Sequence, residues 1–534
     1  MRTTAPTLIF KSWSPKWLVK LSLFLVYMPS LVLFFLPIAN INAAAGFYGI
    51  EQADVQYLVF TYYAGFAGFF PLEKRFYRYF AIKDYFLLLT SFQIITCLFC
   101  YFTRNLELLF ICRFLQGIAL ASCVSFSLNL VFNHIQNETA RPIGFSVFFG
   151  TLLIIISFDN FITVDIIDAV NFNEVYKYMM FLFVPGLVMI GVLLNNVRLG
   201  KKIPLYALDW PSFIIYSLGI CLFCFIMIYG QEQYWFDGRF IFYAAAALIL
   251  LILIFIARQT SRKRPLINLA VFKYPNLLIG ASLLIVLYIC RFGAALTNTY
   301  FLAVLNFDPR NVSYINLLNI AGNIIGLVIS CAMLIQKRPF RLIWIYGYSL
   351  VLIYYTWMCF LLSGQGNASA YYIPLIVLGI GIGMLMASIL YFIITAVPAA
   401  LRDSSSALCA LFRCVAFCTS VALINYLDLK QKTLHYNSFL DHYSKDNPLV
   451  KQSLRQVTGM LLKGGMPKGP AAAVANRILL KRVLTQDQIR FTIDYYFLIG
   501  CLVLIVLLIL AAHPMVKKLY LYLKKSNRQS YESI

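Results

Sequence analysis

The sequence predicts an all-α polytopic membrane protein, and three observations predict it. Of its 534 residues, 61% are hydrophobic and 12% charged, with a mean hydropathy of +0.79, so most of the chain uses lipid as its solvent. The apolar stretches run for about 17–25 residues, the length at which a helix crosses a bilayer, where barrel strands would show shorter alternating segments. A crossing segment must also satisfy its own backbone hydrogen bonds, and a helix does so within itself.

Fourteen spans are expected, at 18–41, 54–71, 85–102, 106–132, 143–163, 178–195, 210–229, 240–257, 277–303, 313–335, 342–363, 371–396, 404–427 and 494–513. An even count puts both termini on one side. With the amino end inside, the inner segments hold 26 lysines and arginines and the short outer loops four. The loop at 428–493 holds eleven more, but long loops translocate largely regardless of charge, so the short loops decide and both termini are expected in the cytoplasm. The net charge of +23 is therefore read as topology in an inner (plasma) membrane, with no nucleic-acid partner. The basic stretch at the amino end precedes an apolar run too long for a signal-peptide core and is kept as the approach to the first span.

The loops divide the chain into a cytoplasmic amino end (1–17), a six-helix bundle (18–195), an extra pair of helices with basic connectors (196–276), a second bundle (277–513) and a cytoplasmic tail (514–534). This is a 6+2+6 arrangement. Within the second bundle, the outer loop 428–493 shows apolar residues at helical spacing (Leu449, Leu454, Val457, Leu461), a break at Gly464–Pro470, and a second helical stretch from Ala471. A helical hairpin and an irregular connector both fit that pattern.

Thirteen cysteines fall in expected spans. Cys97/Cys100 and Cys221/Cys224 have metal-like spacing but no second ligand pair nearby, so they are read as packing residues and no metal or cofactor is expected. There is no His-Glu-x-x-His, no Gly-x-Ser-x-Gly and no cluster of acids, which sets aside a membrane enzyme.

The interior holds three arginines, Arg113, Arg291 and Arg413, in spans four, nine and thirteen. An arginine near the bilayer centre costs roughly 2.5–3.5 kcal/mol on insertion scales, so each must face protein or a wet cavity. Arg113, Gln116 and Gly117 are candidates for the lining of a transport path. An arginine that ties two helices through backbone carbonyls is the competing reading. For the three together, an amphipathic organic anion as substrate stands against satisfaction by Gln116, Asn298, Asn316, Asn319 and Asn323. No acid falls in mid-span; the protonatable candidates are Asp54, Glu107 and Asp159, each near an outer helix end, where a solvated carboxylate is the plainer account.

The run Arg113-Phe-Leu-Gln-Gly117, with Leu36-Pro37, Tyr62, Pro71-Leu72 before a basic loop, Tyr178 to Pro185-Gly186, Asp209-Trp210, Gly379-Ile-Gly381-Ile-Gly383, Val397-Pro398 and Arg413, resembles the major facilitator superfamily. Fourteen spans with a central pair resemble its drug:proton antiporter branch (EmrB/QacA type). The likeness implies a secondary transporter exporting amphipathic compounds or drugs by alternating access. A periplasmic adaptor and an outer-membrane channel are the partners it implies where a cell has an outer membrane. It places gating in the loop bearing Arg75, Arg78 and Lys83. The departures touch coupling: Met28 stands where the branch has an acid in span one, Arg78 and Ala81 replace an Asp and a Gly, and Leu152 to Asp159 replaces a Gly-Pro-rich motif. A carrier without proton coupling, or one serving as a receptor, is the alternative these losses leave.

Overall fold

The computed structural model describes residues 9–134, 140–198, 208–442 and 448–531. Arg2, Glu138, Lys201, Lys202 and Glu532 lie outside them, and with them parts of the expected amino end, connector and tail. Among the described residues the chain is helical, with no strand beyond a single bridge between Phe10 and Leu194.

The amino-terminal helices are α1 (Lys16–Ala39), a short α2 (Ile41–Tyr48), α3 (Gln52–Tyr79), α4 (Ile82–Phe102), α5 (Leu106–His134), α6 (Ala140–Ala169) and α7 (Glu174–Leu193). They pack largely on one another. Two further helices, α8 (Trp210–Tyr229) and α9 (Arg239–Ser261), follow. The rest are α10 (Pro275–Gly293), α11 (Ala295–Ala303), α12 (Pro309–Ile335), α13 (Phe340–Leu361), α14 (Tyr372–Thr395), α15 (Arg402–His442), α16 (Pro448–Lys463) and α17 (Lys468–Tyr531). The two groups meet where α6 packs on α12 and α14 and α3 packs on α15; α8 lies against α3, α9 and α15.

Thirteen helical stretches among the described residues are long and apolar enough to cross a membrane, and the protein is multi-pass. The expected span at 54–71 is not among them, although α3 is 28 residues long. Its polar side chains are the reason. Gln56, Thr61 and Tyr62 are buried, with Tyr62 donating to the Ser30 carbonyl and Gln56 bonded to Asn425 of α15. A helix walled by α1, α5, α8 and α15 faces protein, so it needs less hydropathy than one facing lipid. Two other spans differ in extent. The ninth breaks at Gly293–Ala294 into α10 and α11, and the described residues of 428–493 are mostly helical, in the extension of α15, in α16 and in the start of α17. α16 turns back on α17 through Gly464–Pro467, where Gly465 takes a φ of +86°.

Glycines set the tightest contacts. A Cβ on Gly117 would lie 1.9 Å from the Tyr62 carbonyl oxygen, and one on Gly65 would lie 2.1 Å from that of Phe114, so α3 and α5 touch backbone to backbone. The α12–α14 seam repeats this with Gly322 and Gly326 against Gly379 and Gly383. Lipid supplies no hydrophobic force between helices, so this close packing is the main attraction available. Gly117→Val is expected to cost about 1–3 kcal/mol through overpacking and to lower the thermal midpoint in detergent. Gly500→Ala, whose Cβ meets nothing nearer than 4.0 Å, serves as the unchanged control; equal midpoints for the two variants would contradict the seam.

Candidate functional site

Arg113 is fully buried. Its Nη1 donates to the Leu33 carbonyl (2.6 Å) and to Gln116 Oε1 (3.1 Å), its Nη2 donates to the Phe34 carbonyl (2.8 Å), and its guanidinium lies 4.6 Å from the centre of the Tyr62 ring. The reason lies four residues further along α1. Pro37 has no N–H, so the Leu33 carbonyl loses its helical donor, and Arg113 replaces it. Gln116 is held in turn by weak contacts of its amide with the Cys97 and Cys100 sulfurs, which accounts for that cysteine pair. Cys224 of the second pair packs sulfur to sulfur on Cys414, joining α8 to α15. Arg113, Gln116 and Gly117 thus form a helix tie, the second of the two readings their sequence left open.

Arg291 is also a tie. From α10 its Nη2 reaches the carbonyls of Leu152 and Leu153 on α6, both at 3.0 Å, so it bridges the two groups of helices. The asparagines do not serve the arginines: Asn319 donates to the Leu375 carbonyl and Asn323 donates to Asn319, all on the α12–α14 seam.

Arg413 differs. It is 5% exposed, donates from Nε to the Tyr288 hydroxyl (3.1 Å), and stands 5.4 Å from the Phe149 ring centre, with no carboxylate among the described residues at ion-pair distance. Alone of the three arginines it lines a cavity of about 410 Å³ between the two groups of helices. The walls are aromatic (Phe66, Phe70, Phe145, Phe148, Phe149) and the mouth is charged (Glu73, Lys74, Arg75, Asp403). Lys74 is ion-paired across the mouth with Asp403, whose side chain is 76% exposed. Asp403 and Arg413 are ten residues apart on α15, or about 15 Å of helix, which makes Arg413 the floor. Of the expected gating residues, Arg75 lines this mouth, while Arg78 and Lys83 are half-buried nearby in sequence and outside the cavity wall.

Beyond the floor, aromatic side chains pack together. Phe417, one turn past Arg413, stacks on Phe292 (4.4 Å between centres) and packs on Phe60 (4.6 Å) and Phe35 (6.1 Å). Further along, Asn425 donates to Gln56 (2.7 Å) and Tyr229 donates to Asp54 (2.6 Å). In the adjoining loop, burial, then the negative charges of Glu51 and Asp54, push the Glu232 carboxyl above its usual range.

The three acids separate in the same way. Asp54 closes a capping box, accepting the Glu51 N–H, and Glu107 is an exposed first-turn residue of α5. Asp159 is fully buried on α6, and neither carboxylate oxygen has a hydrogen-bond partner. The chain places it one turn below Thr163, which donates to its backbone carbonyl and accepts from Asn40, between α1 and α2. Sequence reasoning put Asp159 near a wet helix end. What it lacked was that α1, α12 and α14 all pack on α6, a signal no local pattern carries.

No protein-family model and no curated protein matches the sequence. Among solved structures, the chain is similar to the human organic anion transporter MFSD10 (TETRAN), at 11% identity and a TM-score of 0.50, over 77% of this chain and 93% of that one. It is also similar to a POT family transporter in complex with 5-aminolevulinic acid (15% identity, TM-score 0.57, 93% and 96% covered). A POT family transporter with a thioalcohol-conjugated peptide gives 14% identity and a TM-score of 0.59 over 94% and 97%. The fold is the major facilitator fold, and these structural neighbours are transporters rather than enzymes.

Arg113→Gln is expected to lower the thermal midpoint in a Pro37-containing chain and to cost less beside Pro37→Ala, which restores a donor for Leu33. A double-mutant cycle should give a coupling of about 0.5–3 kcal/mol. Additive effects would mean that Arg113 does not serve the carbonyl freed by Pro37.

Proposed function

We propose that the chain is a secondary transporter that moves amphipathic organic anions by alternating access, the cavity above Arg413 being its substrate site. Counting α3 as a span gives fourteen in a 6+2+6 order, with bundle limits at 18–195 and 277–513, and the lysine and arginine bias places both termini in the cytoplasm of a plasma or inner membrane. The structure is then the inward-open state, closed outward by Phe417. Drug export is the direction and substrate class that the antiporter resemblance implies, and the loop 428–493 is the surface a periplasmic adaptor leading to an outer-membrane channel would meet.

The observation that carries this reading is Arg413: a buried cation with no acid partner, facing an aromatic cavity between two groups of helices. Such a charge is costly until an anion reaches it, and the aromatic walls suit an apolar body attached to that anion. One structural neighbour is an organic anion transporter, which supports the class.

Asp159 is the proton carrier of this proposal. An ionised carboxylate without a partner at this depth would be strongly penalised, so in this proposal Asp159 carries its proton while α6 is packed on its neighbours. A state that wets α6 from the other side would release the proton. This replaces the acid missing from span one, where Met28 stands.

The test is flux of fluorescent organic anions and cations in proteoliposomes, with and without a pH gradient. Arg413→Gln should reduce anion flux about tenfold or more, the loss of one charge-assisted hydrogen bond worth ~1.5–3 kcal/mol, and leave cation flux unchanged; equal loss of both would remove the anion assignment. Asp159→Asn should abolish accumulation driven by the gradient while downhill exchange continues. Gradient-driven accumulation retained in that variant would place the coupling on another group, flux without gradient dependence in the native chain would point to an uncoupled carrier or another ion, and substrate binding with no flux in the native chain would favour a receptor.

A further inference from the structure

A second cavity, of about 480 Å³, lies away from Arg413, between the extra pair and the opposite face of α15. Its walls include Gly219 and Phe223 of α8, Leu251 and Phe255 of α9, Ile267 of the connector and Leu411 of α15. The volume falls in the range of small-molecule sites, about 300–1,000 Å³, but the lining is apolar throughout, its one polar side chain being Tyr216, whose hydroxyl has no hydrogen-bond partner.

Gly219 is the telling residue. The glycines of α3, α5, α12 and α14 discussed above each meet backbone of a neighbouring helix where a Cβ would stand, whereas a Cβ on Gly219 would meet nothing within 4 Å. A glycine inside a helix costs about 1 kcal/mol relative to alanine, and here no protein contact accounts for it. The space over it belongs to the crevice.

The charge at one end says what fills the crevice. The chain leaving α9 runs Arg262-Lys263-Arg264 and then supplies Ile267, Leu269 and Phe272 to the cavity wall before Lys273. All four basic side chains are exposed, and none is ion-paired among the described residues. This connector is fixed in place: Gln259 accepts the N–H groups of Leu266 and Ile267, and Arg258 is ion-paired with Asp209 at the start of α8. From Ile256 to Leu248 the wall on α9 extends for about 12 Å of helix rise away from that basic end.

We propose that this crevice holds one acyl chain of an anionic phospholipid, its headgroup phosphate resting on Arg262, Lys263, Arg264 and Lys273. The lipid would wedge the extra pair against α15, the helix that carries Arg413 on its other side. The proposal rests on the membrane setting and the connector's charge, and it holds whether or not Arg413 binds a substrate.

The test uses the full chain, purified in detergent and stripped of lipid, with phosphatidylglycerol and phosphatidylcholine of identical acyl chains titrated by native mass spectrometry. One phosphatidylglycerol should bind at least tenfold more tightly than phosphatidylcholine. Gly219→Leu should weaken it at least tenfold, since the new side chain fills the crevice, and replacing glycine by a better helix former should leave the lipid-free thermal midpoint unchanged or higher. Replacing Arg262, Lys263 and Arg264 together by glutamine should bring phosphatidylglycerol down to the phosphatidylcholine level. Equal binding of the two lipids to the native chain, or undiminished phosphatidylglycerol binding by Gly219→Leu, would overturn the proposal. If Gly219→Leu misfolds, the charge-replaced variant decides alone: a retained preference for phosphatidylglycerol counts against the site.

Discussion

The structure depends on one exchange of hydrogen bonds at the end of α1. In hydrocarbon there is no water to accept or donate, so the carbonyl that Pro37 strands must find a donor in another helix. Arg113 meets that need, and its own buried charge is in turn spread over the Leu33 and Phe34 carbonyls, Gln116 and the face of Tyr62. Each partner would be a liability alone. Together they lock α1 to α5, with α3 held between them by the Gly65 and Gly117 contacts, and α15 packs on this block through α3.

Much of this was legible in the sequence because membrane helices advertise themselves. Long apolar runs gave most of the helices within a few residues, although α3, α15 and α17 run well past their expected ends, and a charge in such a run marks a protein-facing side. The same logic is weakest where protein replaces lipid around a helix. α3 carries too many tyrosines and amides to pass for a lipid-facing span, since its surroundings are other helices. Asp159 was misplaced for a related reason: position along a helix says how deep a residue lies, but its neighbours decide whether that depth is wet. The three arginines look alike in sequence, each amid apolar residues. Their roles separate only when Leu33, Leu152 and the cavity are seen beside Arg113, Arg291 and Arg413 respectively.

The site also shows how one positive charge can serve two purposes. With no acid to neutralise it, Arg413 leans on the faces of Phe149 and Tyr63 and on the Tyr288 hydroxyl, interactions worth about 0.5–2 kcal/mol each in partly desolvated settings. That is enough to hold the side chain in place and too little to cancel its charge. An arginine paired with a carboxylate would be more stable and would have no attraction left for a ligand.

The contacts at the cavity's mouth and beyond its floor are individually weak. At the mouth, the Lys74–Asp403 pair is largely exposed, and exposed pairs contribute about 0–1 kcal/mol. At the far end, the rings around Phe417 contribute about 0.5–1.5 kcal/mol per pair beyond their burial, joined by the neutral Gln56–Asn425 bonds. Neither end is secured by a buried ion pair, whose rupture would cost several kcal/mol and trap one state. The strong ties, Arg113 and the glycine seams, lie within a group of helices. The contacts between groups are the weaker ones, with Arg291 on two carbonyl oxygens as the exception. Those carbonyls already accept within α6, so the Arg291 bonds are additional to those the helix itself requires.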